Sequence, residues 1–315
     1  MTQDIMPLLH SVTPLDLKQL SRQQKVELLH QYRTEMYHNA NAVLFLATDL
    51  LAGGSTGLST LELYEVYDQI LVALLECGRA AHARRYLNLL EKRFGHKSTR
   101  VMLRRGMCLE AEGSIEQAKA VYEAVHKASP TNDFAIKRLS AVYKGQGDYQ
   151  AAINILEKDK VFTDEEGKTY TFLEVHRGSA ILVYKELSNL YYLIGNLDKA
   201  IEYIEEASLF EANSYFFHTR LAELYYMKKD LRRAVVEYSQ SLILNQKPNN
   251  SRSAYGLYLV VNEILKNHQS GVQRLEGEEE AQMRELRDMA ADTMRCMYAG
   301  SPTLSYLEAF FQREF

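Results

Sequence analysis

Large apolar residues recur along this 315-residue chain at intervals of three and four. That spacing lines one face of an α-helix. A longer period lies on top of it. Five alanines, Ala83, Ala118, Ala152, Ala200 and Ala234, follow one another at spacings of 35, 34, 48 and 34 residues. Five residues before each stands Gly78, Gly113, Gly147, Gly195 and then Lys229, and nine before stands Leu74, Leu109, Tyr143, Tyr191 and Tyr225. Four residues after each alanine comes Leu87, Tyr122, Leu156, Ile204 and Tyr238. The unit predicts two helices joined by a tight turn. The glycine falls where a left-handed C-cap is needed, and the small alanine lets the helices approach. Asp148 and Asp198 are placed to cap the second helices. Pro130 and Pro248 fall between units, where proline does least harm.

The order of Gly, Tyr, Ala and aromatic positions resembles the tetratricopeptide repeat. The expected fold is all-α: a right-handed superhelical solenoid of five repeats over residues 61–248, between a helical N-terminal cap (1–60) and a degenerate C-terminal cap (249–315). Terminal units depart from consensus because the end helices face water. The single spacing of 48 holds 14 residues beyond the period, around Lys158–Val175. Its Thr163-Asp164-Glu165-Glu166-Gly167 stretch carries no helical stripe and predicts a surface loop.

Composition agrees with helix. Gly (16) and Pro (5) are scarce, which removes the tight turns an all-β chain needs. Apolar residues at 46% and charged residues at 25% describe an ordinary globular chain. A net charge of −4 argues against a nucleic-acid binder, whose footprint is a basic excess. The first fifteen residues contain Asp4, Pro7, His10 and Pro14 and no Lys or Arg, unlike a signal peptide. Ala42–Ala52 is too short for a membrane span. Three widely separated cysteines, Cys77, Cys108 and Cys296, fit reduced, buried thiols rather than a disulfide framework.

Candidate chemistry is sparse. Gly53-Gly54-Ser55-Thr56-Gly57 lacks the Lys-Ser/Thr of a phosphate loop. The nine histidines form no ligand spacing, so neither a metal nor another cofactor is expected. No nucleophile–base pair stands out, and the chain is not expected to be an enzyme. One stretch, Arg84 to Arg105, holds eight Lys or Arg and a single acid, Glu91. Within it Arg100, Arg104 and Arg105 form a basic patch suited to an acidic partner or an anionic membrane surface. The first helices of the repeats line a groove in such arrays. In this register Lys137, Ala141, Lys144, Lys185, Asn189, Tyr192, Glu223 and Tyr226 face inward, a mixed and aromatic lining suited to a segment of another protein, with Lys137, Lys144, Lys185, Asn189, Tyr192 and Tyr226 the expected contacts.

Three stretches exceed what repeat packing demands. They are Phe94–Ala111 (FGHKSTRVMLRRGMCLEA), Pro130–Arg138 (PTNDFAIKR) and Asn249–Tyr258 (NNSRSAYGLY). Together they resemble the tetratricopeptide subunit 2 family of the endoplasmic reticulum membrane protein complex, with a likeness covering about residues 64–265. Gly95 stands where the family has Pro, and the 158–175 insert is longer than usual. The resemblance implies a non-catalytic scaffold on the cytosolic face of the endoplasmic reticulum, peripheral to the membrane. Its groove would hold cytosolic segments of the membrane-embedded subunits, another face would carry a soluble cytosolic subunit, and the whole would support insertion of tail-anchored and multi-pass proteins. The competing class is a soluble co-chaperone adaptor that grips heat-shock protein C-termini. Lys185 and Asn189 supply the first pair that such a clamp needs. Arg220 stands where it needs Asn, and Asn250 and Ala254 stand where it needs Lys and Arg.

Overall fold

The predicted turn between paired helices is built the same way five times. Gly78, Gly113, Gly147 and Gly195 take φ between 70 and 79°, and Lys229 takes φ 65° at the fifth position. The next residue's N–H then reaches back to close the preceding helix, as in Arg79 to Leu74, Ser114 to Leu109, Asp148 to Tyr143, Asn196 to Tyr191 and Asp230 to Tyr225, at 2.8–2.9 Å. This is a Schellman closure, and only glycine adopts it without crowding at Cβ. Lys229 is the only non-glycine with positive φ among the described residues. Replacing it with glycine is expected to raise the melting temperature by roughly 2–4 °C in a thermal scan, even with its exposed ion pair to Glu263 removed.

The computed structural model describes residues 14–35, 39–52, 58–176, 180–272 and 274–312. The chain divides into two units, at Val142/Tyr143. The first holds α1 (Pro14–Gln19), α2 (Arg22–Thr34), α3 (Ala40–Ala52), α4 (Thr60–Glu76), α5 (Ala80–Phe94), α6 (Thr99–Ala111) and α7 (Ile115–Ala128). Its last helix, α8 (Asp133–Gly145), carries the chain across the division. From α2 to α7, each helix packs on its neighbours in the chain. Ser59 starts α4 with a reciprocal cap: its hydroxyl accepts from Glu62 N–H, and the Glu62 carboxylate accepts from Ser59 N–H at 2.7 Å. The Gly53–Gly57 stretch lies outside the described residues.

The second unit opens with α9 (Tyr149–Ile153), which widens into a π-helical turn at Asn154–Lys158. After the insert come α10 (Phe172–Val175), α11 (Ile181–Leu193), α12 (Leu197–Ser208), α13 (Tyr215–Met227), α14 (Leu231–Leu244), α15 (Ser251–Gln269), α16 (Gly277–Met297) and α17 (Leu304–Gln312). The pairs α11/α12 and α13/α14 are the last two predicted repeats, and α15/α16 follows them as a further hairpin. Asp148 caps α9 as expected, accepting from Ala151 N–H at 3.0 Å. The cap expected from Asp198 falls instead to Asn196, two residues earlier, which accepts from Lys199 N–H at 3.1 Å. Asp198 lies inside the first turn of α12 and pairs with Lys228.

The insert is not the loop its polar composition predicts. It is a β-hairpin, with β1 (Lys160–Thr163) antiparallel to β2 (Thr169–Thr171). Asp164 organises its turn. The carboxylate accepts from the N–H groups of Glu166 and Lys168 and from the Tyr170 hydroxyl, and Gly167 supplies φ 82°. Phe172, fully buried in α10, pins the hairpin's far end. The π-helical turn ahead of it sets Glu157 under two phenols, and both Tyr191 and Tyr203 donate to its carboxylate. Burial, reinforced by Glu157, pushes both tyrosines far above the ordinary range.

Two glycines in helix interiors serve packing rather than turns. Tyr122 of α7, fully buried, lies flat on Gly106 of α6, where an added methyl would stand 2.4 Å from its ring. Tyr238 of α14 lies on Gly256 of α15, with 2.2 Å left for the same methyl. Helix axes come this close because one partner has no side chain. Of the cysteines only Cys108 is buried; Cys77 is half-buried and Cys296 exposed.

Candidate functional site

The arginines of the predicted basic patch are matched by carboxylates from other helices. Arg100 and Arg104, one turn apart on α6, converge on Asp68 of α4 at 2.7 Å each. Asp68 has only 5% of its side chain exposed, and Arg104 has 19%. Burial pushes the Asp68 carboxyl up, but Arg104 and Arg100 outweigh it and hold the group below its ordinary value. The three residues stand in a cleft of about 320 Å³, beside Tyr32, Asn39 and Gln69. Arg105 faces the other way, to Glu91 at 2.7 Å. Arg84 pairs with Glu112, and Arg138 with Glu110. Lys137 is exposed on α8 and meets Asp133 one turn back, at 2.8 Å.

In the second unit three of the predicted inward residues, Lys185, Asn189 and Tyr192, share a surface with α13. Lys185, Asn189 and Tyr192 follow one face of α11, at spacings of four and three. Phe216, Arg220, Glu223 and Met227 follow one face of α13. The two faces are stitched side to side. Lys185 Nζ sits 4.6 Å from the Phe216 ring. Arg220 stacks 4.8 Å over Tyr192 and donates to Asn189 Oδ1 at 3.3 Å. Arg220 also donates to Glu223 at 3.0 Å, and Arg252, at the start of α15, pairs with the same carboxylate. Asn189, Phe216, Arg220, Glu223 and Arg252 line a cleft of about 300 Å³ with Tyr215, Asn249 and Asn250. Lys144 lies elsewhere in this unit, paired with Glu186. Tyr226 lies beneath Lys229, at 5.3 Å. Burial, then a hydrogen bond with Glu263, raises its phenol.

A buried polar cluster fixes this cleft from below. The Thr219 hydroxyl lies 2.8 Å from that of Ser241 and 2.7 Å from that of Ser253. Asn250 accepts from Ser253 at 2.8 Å and donates to the Ser241 carbonyl at 3.1 Å. Hydroxyls and an amide shut away from water must find each other. Here that ties α13, α14 and the start of α15 into one register, and so fixes Arg220, Glu223 and Arg252. Sequence reasoning named Glu223 as inward-facing but noted Arg220 only as a mismatch, and it passed over Phe216 and Arg252. Arg220 and Phe216 lie on the same helical face as Glu223 and were open to the same spacing argument. Arg252 was hidden because the α15 unit departs from the repeat consensus.

Among the described residues no group of three or more His, Cys, Asp or Glu stands together as a metal site. No described helix is long and apolar enough to cross a membrane.

Two segments match models described as tetratricopeptide repeat, residues 100–132 and 183–212. They coincide with α6/α7 and with α11/α12. The C-terminal part of a TPR repeat-containing protein from Cytophaga hutchinsonii has the same fold, with a TM-score of 0.55 and 14% identity over 91% of this chain and 99% of that one. The fold is thus a tetratricopeptide-repeat fold. Sequence similarity goes further. ER membrane protein complex subunit 2 of Xenopus tropicalis is 28% identical over 259 residues, 80% of each chain. The chain is similar to ER membrane protein complex subunit 2. TPR repeat protein oca3 of Schizosaccharomyces pombe is 29% identical over 170 residues, 53% of this chain and 54% of that protein. The similarity to the Xenopus subunit covers far more than the two matched repeats, as the three stretches outside the repeat consensus led us to expect.

Proposed function

We propose that the chain is a non-catalytic scaffold subunit of an endoplasmic reticulum membrane protein complex, seated on the cytosolic face and supporting insertion of transmembrane segments. The similarity to subunit 2 over 80% of both chains is the observation that carries this reading. In it, residues 61–248 form the repeat array and the flanking segments 1–60 and 249–315 cap it. Its partners are the other subunits of that complex: cytosolic segments of membrane-embedded chains and one soluble chain. It attaches peripherally, without a span of its own, and takes no nucleic acid.

The contact residues in this reading are Lys137, Lys144, Lys185, Asn189, Tyr192 and Tyr226, with Arg100, Arg104 and Arg105 as a charged patch. The exposed face shared by α11 and α13 supports it best, because charged groups there stand between bulky apolar ones that water alone would not favour.

The test is recovery of the tagged chain in mild detergent, with every co-purifying protein identified. A stoichiometric set of integral membrane proteins together with one soluble partner is the expected result. Recovery of heat-shock chaperones alone, or of no stable partner, would overturn the assignment.

A further inference from the structure

Resting on that scaffold reading, we propose that the cleft between α11, α13 and the start of α15 captures an internal Asp or Glu of a partner polypeptide, with large apolar residues on both sides of the acid.

The charge balance of the cleft is the first reason. Several pairs in this unit join one cation to one carboxylate, among them Lys144 with Glu186, Lys228 with Asp198 and Lys229 with Glu263, and Arg295 has two acids, Asp292 and Glu308. Here Arg220 and Arg252 share the single carboxylate of Glu223. Lys185, one turn from Asn189, faces an aromatic ring and adds a further positive charge to the same face. Arg252 has 73% of its side chain in solvent, so its remaining N–H donors stay open to an incoming carboxylate. Glu223 thus bridges two guanidiniums, one on each carboxylate oxygen, and a second carboxylate would balance the positive charge left over.

The second reason is what flanks the charge. Leu182 and Phe216, at the N-terminal ends of α11 and α13, are 63% and 47% exposed. Leu193 and Met227, at the other ends, are 46% and 47% exposed. From Phe216 to Met227 a helix rises about 16 Å. A segment that covers both apolar ends with its acid over Arg220 and Arg252 therefore runs through the cleft. A chain terminus bound by its carboxylate would leave one end bare.

The experiment places a photo-crosslinking benzoylphenylalanine at position 249, on the exposed rim of the cleft. The full chain is recovered with its partners in mild detergent, irradiated, and the crosslinked peptide sequenced. The expected product is an internal partner segment in which an Asp or Glu stands between large apolar residues. Arg252→Glu, with its melting temperature unchanged, should lower the crosslink yield roughly tenfold or more. Changing the partner's acid to Arg should restore that yield. Glu223→Gln, which frees both arginines, should make retention of the segment more resistant to washing, an outcome that a purely structural Glu223 would not give. A crosslinked segment without an acid, a segment that is a free C-terminus, or a yield indifferent to Arg252→Glu overturns the proposal. Membrane partners recovered without any crosslink at 249 also overturn it and leave the scaffold reading standing. If the wild-type chain recovers no membrane partners, both readings fall together.

Discussion

Asp68→Asn is expected to destabilise the first unit by about 3 kcal/mol. One carboxylate, almost wholly buried, neutralises Arg100 and Arg104 together. The substitution keeps the side-chain volume and removes the charge. Arg100, 57% exposed, turns to water at little cost. Arg104, 19% exposed, remains as a largely desolvated cation without its partner. Urea unfolding of the variant against the wild-type chain reads the difference, and a loss below ~1 kcal/mol would mean the pair is no more than a surface bridge. The pH dependence supplies an independent check. The folded chain holds the Asp68 carboxyl below its ordinary value. Its contribution is therefore complete above about pH 4, the unfolded carboxylate value, and is lost as pH falls through the lower folded value. The gap between wild type and Asp68→Asn should be constant near neutrality and should close in the acid range below about pH 4.

Gly256→Ala should be the second large effect. Its methyl would stand 2.2 Å from the Tyr238 ring, well inside van der Waals contact. Tyr238 is 4% exposed, so its ring is packed on nearly every side. Either α14 and α15 separate or the ring leaves its rotamer, and overpacking of this kind costs about 1–3 kcal/mol. Gly106→Ala repeats the experiment at Tyr122, where the gap is 2.4 Å. The deciding observation is the pairwise one. Tyr238→Leu alone loses buried area, but combined with Gly256→Ala it removes the clash. The double variant should therefore be more stable than the sum of the two losses predicts, by about 0.5–3 kcal/mol. Additive losses would mean that the helices already have room.

How far these features could be read from the chain depends on how far apart their partners lie in it. The hairpins and their turns were legible because each is written within one period. Gly78, Gly113, Gly147 and Gly195 announce the left-handed turn, and Lys229 shows by its position that it must adopt it. The ion pairs were not legible. Counting charges between Arg84 and Arg105 finds one acid, whereas Arg100 and Arg104 find theirs 32 and 36 residues upstream, about one repeat away. Arg252 was missed for a related reason: the cleft is assembled from three helices, and the third has lost the marks that set the phase. The insert escaped because the turn of so short a hairpin is organised by one side chain, Asp164. Its turn-forming role resembles ordinary polar filler until the Tyr170 hydroxyl is seen to meet it.

Helices that pack chiefly on their neighbours in the chain also impose an order on how the protein is made. From α2 to α7 no element waits for a distant strand or for a closing segment from the far terminus. Loop-closure entropy is small at each step, so hairpins of this kind close on short timescales compared with synthesis, which adds roughly 5–20 residues per second. The first unit is therefore expected to become protease-resistant on the ribosome while residues beyond Tyr143 are still being added. A nascent chain stalled late in translation would already display the Asp68 cleft.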